Sequence, residues 1–102
     1  MKEGLIQRLQ ALDGVTVAPW KDTQLICVFY QGRDFAHFHG NDILDIRLSA
    51  EIIREEGLAR DVSAKIHPKR SQNSRWIGVA FNSAADVDKI VHLVTRACAE
   101  LG

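Results

Sequence analysis

The sequence predicts an α+β fold: a two-layer sandwich in which an antiparallel sheet of four or five strands carries two or three helices on one face. Three observations predict it. The chain opens and closes on apolar residues at helical spacing. Between those ends lie short runs of β-branched and aromatic residues, several of them joined by turn-forming Gly, Asp and Asn. Strands that follow one another through tight turns pair antiparallel, and helices flanking such a set argue segregated rather than alternating elements. A length of 102 residues suits one core and is short for two, so a single domain over 1–102 is expected.

Leu5, Ile6, Leu9 and Leu12 give a first helix over about residues 2–13, stopped by Asp13-Gly14. Val15-Thr16-Val17 reads as a short extended piece, and Pro19 suits it to a sheet edge. Gln24 to Gln31, QLICVFYQ, has the composition of a central strand. Gly32-Arg33-Asp34 is a turn, Phe35 to His39 a strand, Gly40-Asn41-Asp42 a turn and Ile43 to Leu48 the third strand of a meander. Ser49 is placed to cap a helix over about residues 50–56, with Gly57 just past its end. Val62 to His67 alternates apolar and polar residues and reads as a strand halted by Pro68. A polar loop, Lys69 to Ser74, leads to a last strand from Arg75 to Phe81. Ser83-Ala84-Ala85-Asp86 resembles a capping box, and Val87, Ile90, Val91, Val94, Cys98 and Leu101 form one stripe of the closing helix.

Charge and motifs remove several function classes. Lys plus Arg and Asp plus Glu each number 13, so the net charge is zero, whereas a general polyanion binder carries a basic excess. Nucleic acid is therefore not an expected partner. No apolar run approaches the ~20 residues that span a bilayer. Met1 to Leu5 lacks a signal-peptide pattern. The expectation is a cytoplasmic protein without a membrane partner. Cys27 and Cys98 lie far apart among apolar neighbours with no CxxC pair, as reduced core thiols would. GxGxxG, GxxxxGK[ST] and GxSxG are all absent.

Alternation sorts the strand residues onto two faces. Ala36, Phe38, Leu44, Ile46, Leu48, Val62, Ala64, Ile66, Ile77, Val79 and Phe81 take the face that helices would cover. Ser63 joins the candidate ligand-binding residues His37, His39, Asp45, Arg47, Lys65, His67 and Trp76 on the other. Gly78 and Ala80 would leave a hollow beside Trp76, and a hollow with convergent polar groups suits a small-molecule ligand. A second copy of the chain, giving a homodimer, is the other candidate occupant.

His37 and His39 stand about 6–7 Å apart on one strand face. A third ligand from His67 or Asp45 would complete a site for a divalent metal such as zinc; with His67 as that ligand Asp45 would orient a ring, and the open position could activate water in a hydrolase. The simpler alternative is a solvated face of hydrogen-bonded histidines. If the three rings converge, mutual repulsion, aided by Arg47 and Lys65, lowers at least one histidine pKa. Lys69, Arg70 and Arg75 form an anion-binding candidate in a stretch without acidic residues, with a solvated loop as the alternative.

His37-x-His39-Gly40, Asp45-Ile46, Gly57-Leu58-Ala59, His67 and Ser74-x-Trp76-Ile77 ahead of a terminal helix resemble the small luciferase domain family of bacterial and fungal proteins, over about residues 20–96. The resemblance implies that His37, His39, Gly40, Asp45, His67 and Trp76 belong to a shared pattern; it implies a domain type rather than a reaction. The loop before Trp76 departs from the family, with Lys69 to Arg75 in place of a Pro/Asp-rich, Ser-Gly stretch.

Overall fold

A computed structural model describes all residues from Met1 to Gly102. The elements run α1 (Lys2–Gln10), β1 (Val15–Pro19), β2 (Ile26–Tyr30), β3 (Arg33–His39), β4 (Ile43–Arg47), α2 (Ala50–Glu55), α3 (Asp61–Ile66), β5 (Trp76–Ala80) and α4 (Ala84–Leu101). The five strands lie in chain order, each antiparallel to its neighbour. This is the α+β fold the sequence predicts, with β1 and its Pro19 at one edge.

Local chemistry sets the joints. Gln31 and Gly32 both take positive φ, +50° and +85°, the I′ geometry whose twist matches a two-residue hairpin. β3 therefore starts at Arg33, inside the segment the composition marks as a turn. A bulge between Val28 and Phe29 leaves Phe35 without a partner, so Phe35 and Ala36 are both buried in succession. The Ser49 hydroxyl accepts from Ile52 N–H, and the Ser83 hydroxyl accepts from Asp86 N–H. Asp86 in turn accepts from Asn82 N–H, one residue outside the usual box.

Leu5 and Leu9 of α1 and Ile90, Leu93, Val94 and Ala97 of α4 close over one sheet face carrying Val28, Ala36, Phe38, Leu44, Ile46, Ile77 and Val79. The α4 stripe is rotated from the sequence expectation: Leu93 and Ala97 are inside, Val91 and Cys98 are half-buried and Leu101 is exposed.

One expected strand is a helix. Val62 to His67 falls in α3, not in the sheet. Apolar residues at 62, 64 and 66 satisfy a period of two, but Val62 and Ile66 also sit one helical turn apart, and a six-residue window cannot separate the periods. The facing assigned there changes too. Ser63 is buried rather than outward, and Ala64 is exposed rather than inward.

α3 packs on β5 from the side opposite α4. A Cβ added at Gly78 would meet Val62 Cγ1 and Ile66 Cδ1, each at 3.2 Å. The hollow expected at Gly78 is thus filled by α3. The absence of a side chain there admits the helix rather than a ligand.

The Ser63 hydroxyl accepts a 2.8 Å hydrogen bond from Gly78 N–H, satisfying the outer edge of β5. Ser63→Ala leaves that buried donor unpaired and is expected to cost about 1–3 kcal/mol in urea denaturation. Gly78→Val overfills the α3 contact and is expected to cost about 1–3 kcal/mol. Wild-type stability in both variants would show that α3 is not held this way.

Candidate functional site

The strand register sets Cys27, His37, Asp45 and Gly78 side by side across four strands. The side chains of Cys27, His37 and Asp45 project away from the long helices, since Leu44 and Ile46 flank Asp45 toward the core. Asp45 is nevertheless fully buried, because the segment after α3 folds back over it. A buried carboxylate needs a charge partner. Arg70 supplies it with both arms: Nη1 donates to Oδ1 at 2.9 Å and Nη2 to Oδ2 at 2.8 Å. Arg70 Nη1 also donates to the Trp76 carbonyl at 3.3 Å, tying the loop to β5.

Two histidines approach the same carboxylate oxygen. His37 Nε2 lies 3.3 Å and His67 Nε2 3.7 Å from Asp45 Oδ2. His67 Nε2 is the one buried side-chain nitrogen or oxygen in the protein without a hydrogen-bond partner. The Trp76 ring tilts against His37 with centroids 5.3 Å apart, and the His39 ring stands edge-on to His67 at 6.0 Å. The pKa of His37 is lowered, first by burial and then by positive charge on His67, Arg70 and His39; the Asp45 carboxylate opposes the shift. Repulsion among the rings contributes as expected, but burial leads.

His37, Asp45 and His67 present one ligand atom each, all within 4.8 Å of one another, and such a group could hold a metal ion. Both third ligands the sequence allows, His67 and Asp45, thus join His37, while His39, expected as a ligand, lies beside the set rather than in it. The fourth histidine, His92, is elsewhere, 2.9 Å from Glu56.

The structure does not bring every candidate together. Lys65 is exposed on α3, with no hydrogen bond or ion pair. Lys69 is exposed beside His67, and Arg70 is committed to Asp45. Arg47 and Arg75 sit at the strand ends, where Arg33, which the sequence marks only as a turn residue, joins them. Both cysteines are free, and burial raises each thiol's pKa, with Asp34 adding to it at Cys27.

The model of the luciferase domain family matches residues 32–97, a span holding β3 to β5, most of α4 and the whole Asp45 cluster. No curated protein and no solved structure matches the chain.

Two outcomes follow from this geometry. Arg70→Ala strands a buried carboxylate and is expected to cost about 3–5 kcal/mol, whereas Asp45→Leu combined with Arg70→Met removes both charges and should lose far less. A double variant as unstable as the single one would contradict the ion-pair account. The His37 shift sets the pH response of the metal-free protein. A histidine with a lowered folded pKa binds fewer protons than the unfolded chain near and below pH 6.5, so stability rises with pH there. Stability should be level above the unfolded value, fall as pH drops through it, and level off below the folded pKa. His37→Gln is expected to flatten that acid-side slope in melting curves.

Proposed function

The chain belongs to the luciferase domain family, and from that premise we propose a ligand-binding module centred on a zinc-class ion held by His37 Nε2, Asp45 Oδ2 and His67 Nε2. The observation that carries this reading is the buried, unpartnered His67 nitrogen aimed at an oxygen that a second histidine also approaches. Two ligands on one tetrahedral zinc, with bonds of about 2.0–2.1 Å, stand about 3.3–3.4 Å apart. The separations of 3.3 and 3.7 Å from Asp45 Oδ2 are close to that edge. Neither contact is a well-formed hydrogen bond, and a cation would satisfy both rings at once.

Arg70 fits as the group that holds the ligating carboxylate in place, since metal-bound carboxylates are themselves commonly hydrogen-bonded. Its positive charge also weakens the affinity for a second cation. Three protein ligands leave one position of a tetrahedral ion for a small-molecule ligand, bordered by Trp76 and His39. A small ligand suits this recessed cluster better than a second copy of the chain, because Asp45 has no exposed surface and His37 only a part.

Metal-assisted hydrolysis is the second reading. It is favoured by that same open position, where a water could be activated, and by the exposed His39 ring beside His67, placed to carry a proton.

Protein purified without a histidine tag is expected to bind zinc. Zinc at about 100 times its dissociation constant should add about 2.7 kcal/mol of stability. His37→Gln and His67→Gln should abolish that gain, and His39→Gln should keep it. No zinc-induced stabilisation, or equal loss in all three variants, would overturn the metal centre. A panel of hydrolase substrates, with and without zinc, separates the two readings.

A further inference from the structure

The chain has eight arginines. The side chains of Arg8, Arg60, Arg70 and Arg96 are held by hydrogen bonds or ion pairs. Arg33, Arg47, Arg54 and Arg75 have no such partner. Three of those four, Arg33, Arg47 and Arg75, line a single cavity of about 320 Å³. The topology brings them there: Arg33 opens β3, Arg47 closes β4 and Arg75 immediately precedes β5, so three adjacent strands deliver them to one end of the sheet. The backbone at that end is fixed, with Leu48 N–H donating to the Arg75 carbonyl at 2.7 Å.

The cavity is not purely basic. Asp34 and Glu100 also line it, yet neither pairs with any of the three guanidiniums, and Glu100 instead accepts from the Ser49 hydroxyl at 2.7 Å. Three positive and two negative groups leave an excess of one positive charge. Its apolar lining comes from Phe35, Leu48, Ala97 and Leu101, of which only Leu101, 42% exposed, offers much open surface. Unpaired guanidiniums beside an exposed leucine match an anion with an apolar body, since the planar fork recognises carboxylate and phosphate oxygens in pairs.

We propose that Arg33, Arg47 and Arg75 form a binding site for a small organic oxyanion, with a carboxylate or phosphate head held by the guanidiniums and a ring-sized apolar body packed against Leu101. The site needs no metal and stands apart from the reading of the Asp45 cluster.

Phenyl phosphate is a suitable probe, with inorganic phosphate and phenol supplying head and body alone, in NMR titrations of the intact chain. Saturable shifts at Leu48 and Ala97 are expected with phenyl phosphate, and weaker ones with either half. Benzoate against benzyl alcohol repeats the comparison for a carboxylate head. Arg47→Gln with Arg75→Gln should weaken phenyl phosphate binding at least about tenfold, because each lost charged hydrogen bond is substantial. These side chains are exposed, so the folded spectrum should survive. Arg54→Gln, which removes an unpaired arginine outside the cavity, should leave binding unchanged. Equal losses in the Arg54 variant and the double variant would reduce the effect to general surface charge and overturn the site. So would the absence of saturable shifts at Leu48 and Ala97 for both organic anions.

Discussion

The buried Asp45–Arg70 pair constrains the rest of the molecule on the sheet face away from α1 and α4. A carboxylate in the middle of a sheet, flanked by Leu44 and Ile46, cannot be left charged and dry. It obliges a guanidinium to come to it, and that guanidinium arrives on a loop. The segment between α3 and β5 is therefore held by two charged hydrogen bonds to Asp45 and a third to the Trp76 carbonyl. His67 rides in with the same segment. Asp45 thus positions the histidine that faces it, through a residue three positions further along the chain. Ion pairs of this kind add little net stability compared with apolar packing, but they penalise any arrangement that separates the partners. Here that penalty fixes where a loop lies.

The two sides of the sheet obey different physics. Toward α1 and α4 the strands offer large aliphatic and aromatic groups that pack as one core, and α4 needs only its own stripe to find its seat. On the other side packing is thin. α3 has six residues, too few to hold a helix on its own propensity. Val62 and Ile66 over Gly78, together with the Ser63 hydroxyl on the strand's free N–H, hold it instead. Helix α3 and the Arg70 loop are consecutive in the chain. The docking of one shortens the loop that must close for the other, which lowers the entropy cost of delivering Arg70.

Much of this was legible in the residues. The antiparallel meander, the serine caps at Ser49 and Ser83 and the apolar face all follow from local chemistry that the final structure does not override. The face bearing His37, Asp45 and Trp76 follows from alternation alone. Three things were not legible. Six alternating residues from Val62 to His67 satisfy strand and helix periods equally, and only tertiary contact with Gly78 decides between them. Gly78 itself reads as missing volume, and a sequence does not say whether a ligand or a helix fills it. The partner of Asp45 was concealed by distance: Arg70 lies 25 positions away in a loop whose charges suggest solvent or a bound anion. The available signal was Asp45 itself, since an aspartate in an apolar strand run demands a cation and Lys69-Arg70 follows Pro68, just past the end of α3.

Charge is distributed unevenly in a chain whose total is zero. Many acidic groups are already answered: Asp45 by Arg70, Glu55 and Glu56 by Arg96, Asp88 by Arg8. Each such contact commits an arginine, Arg96 serving both Glu55 and Glu56, and a paired guanidinium contributes little field at longer range. The arginines left over are then the ones that matter electrostatically, and the strand ends place three of them around one cavity. Net charge alone argued against polyanionic partners such as nucleic acid, because it averages over pairs that cancel. A neutral protein can still present a pocket with a net positive charge where unpaired arginines outnumber the acids, and at one end of β3, β4 and β5 three arginines face Asp34 and Glu100. On β4, Asp45 and Arg47 are two residues apart and alternate onto the same face, so one strand joins the buried carboxylate cluster to the arginine cavity.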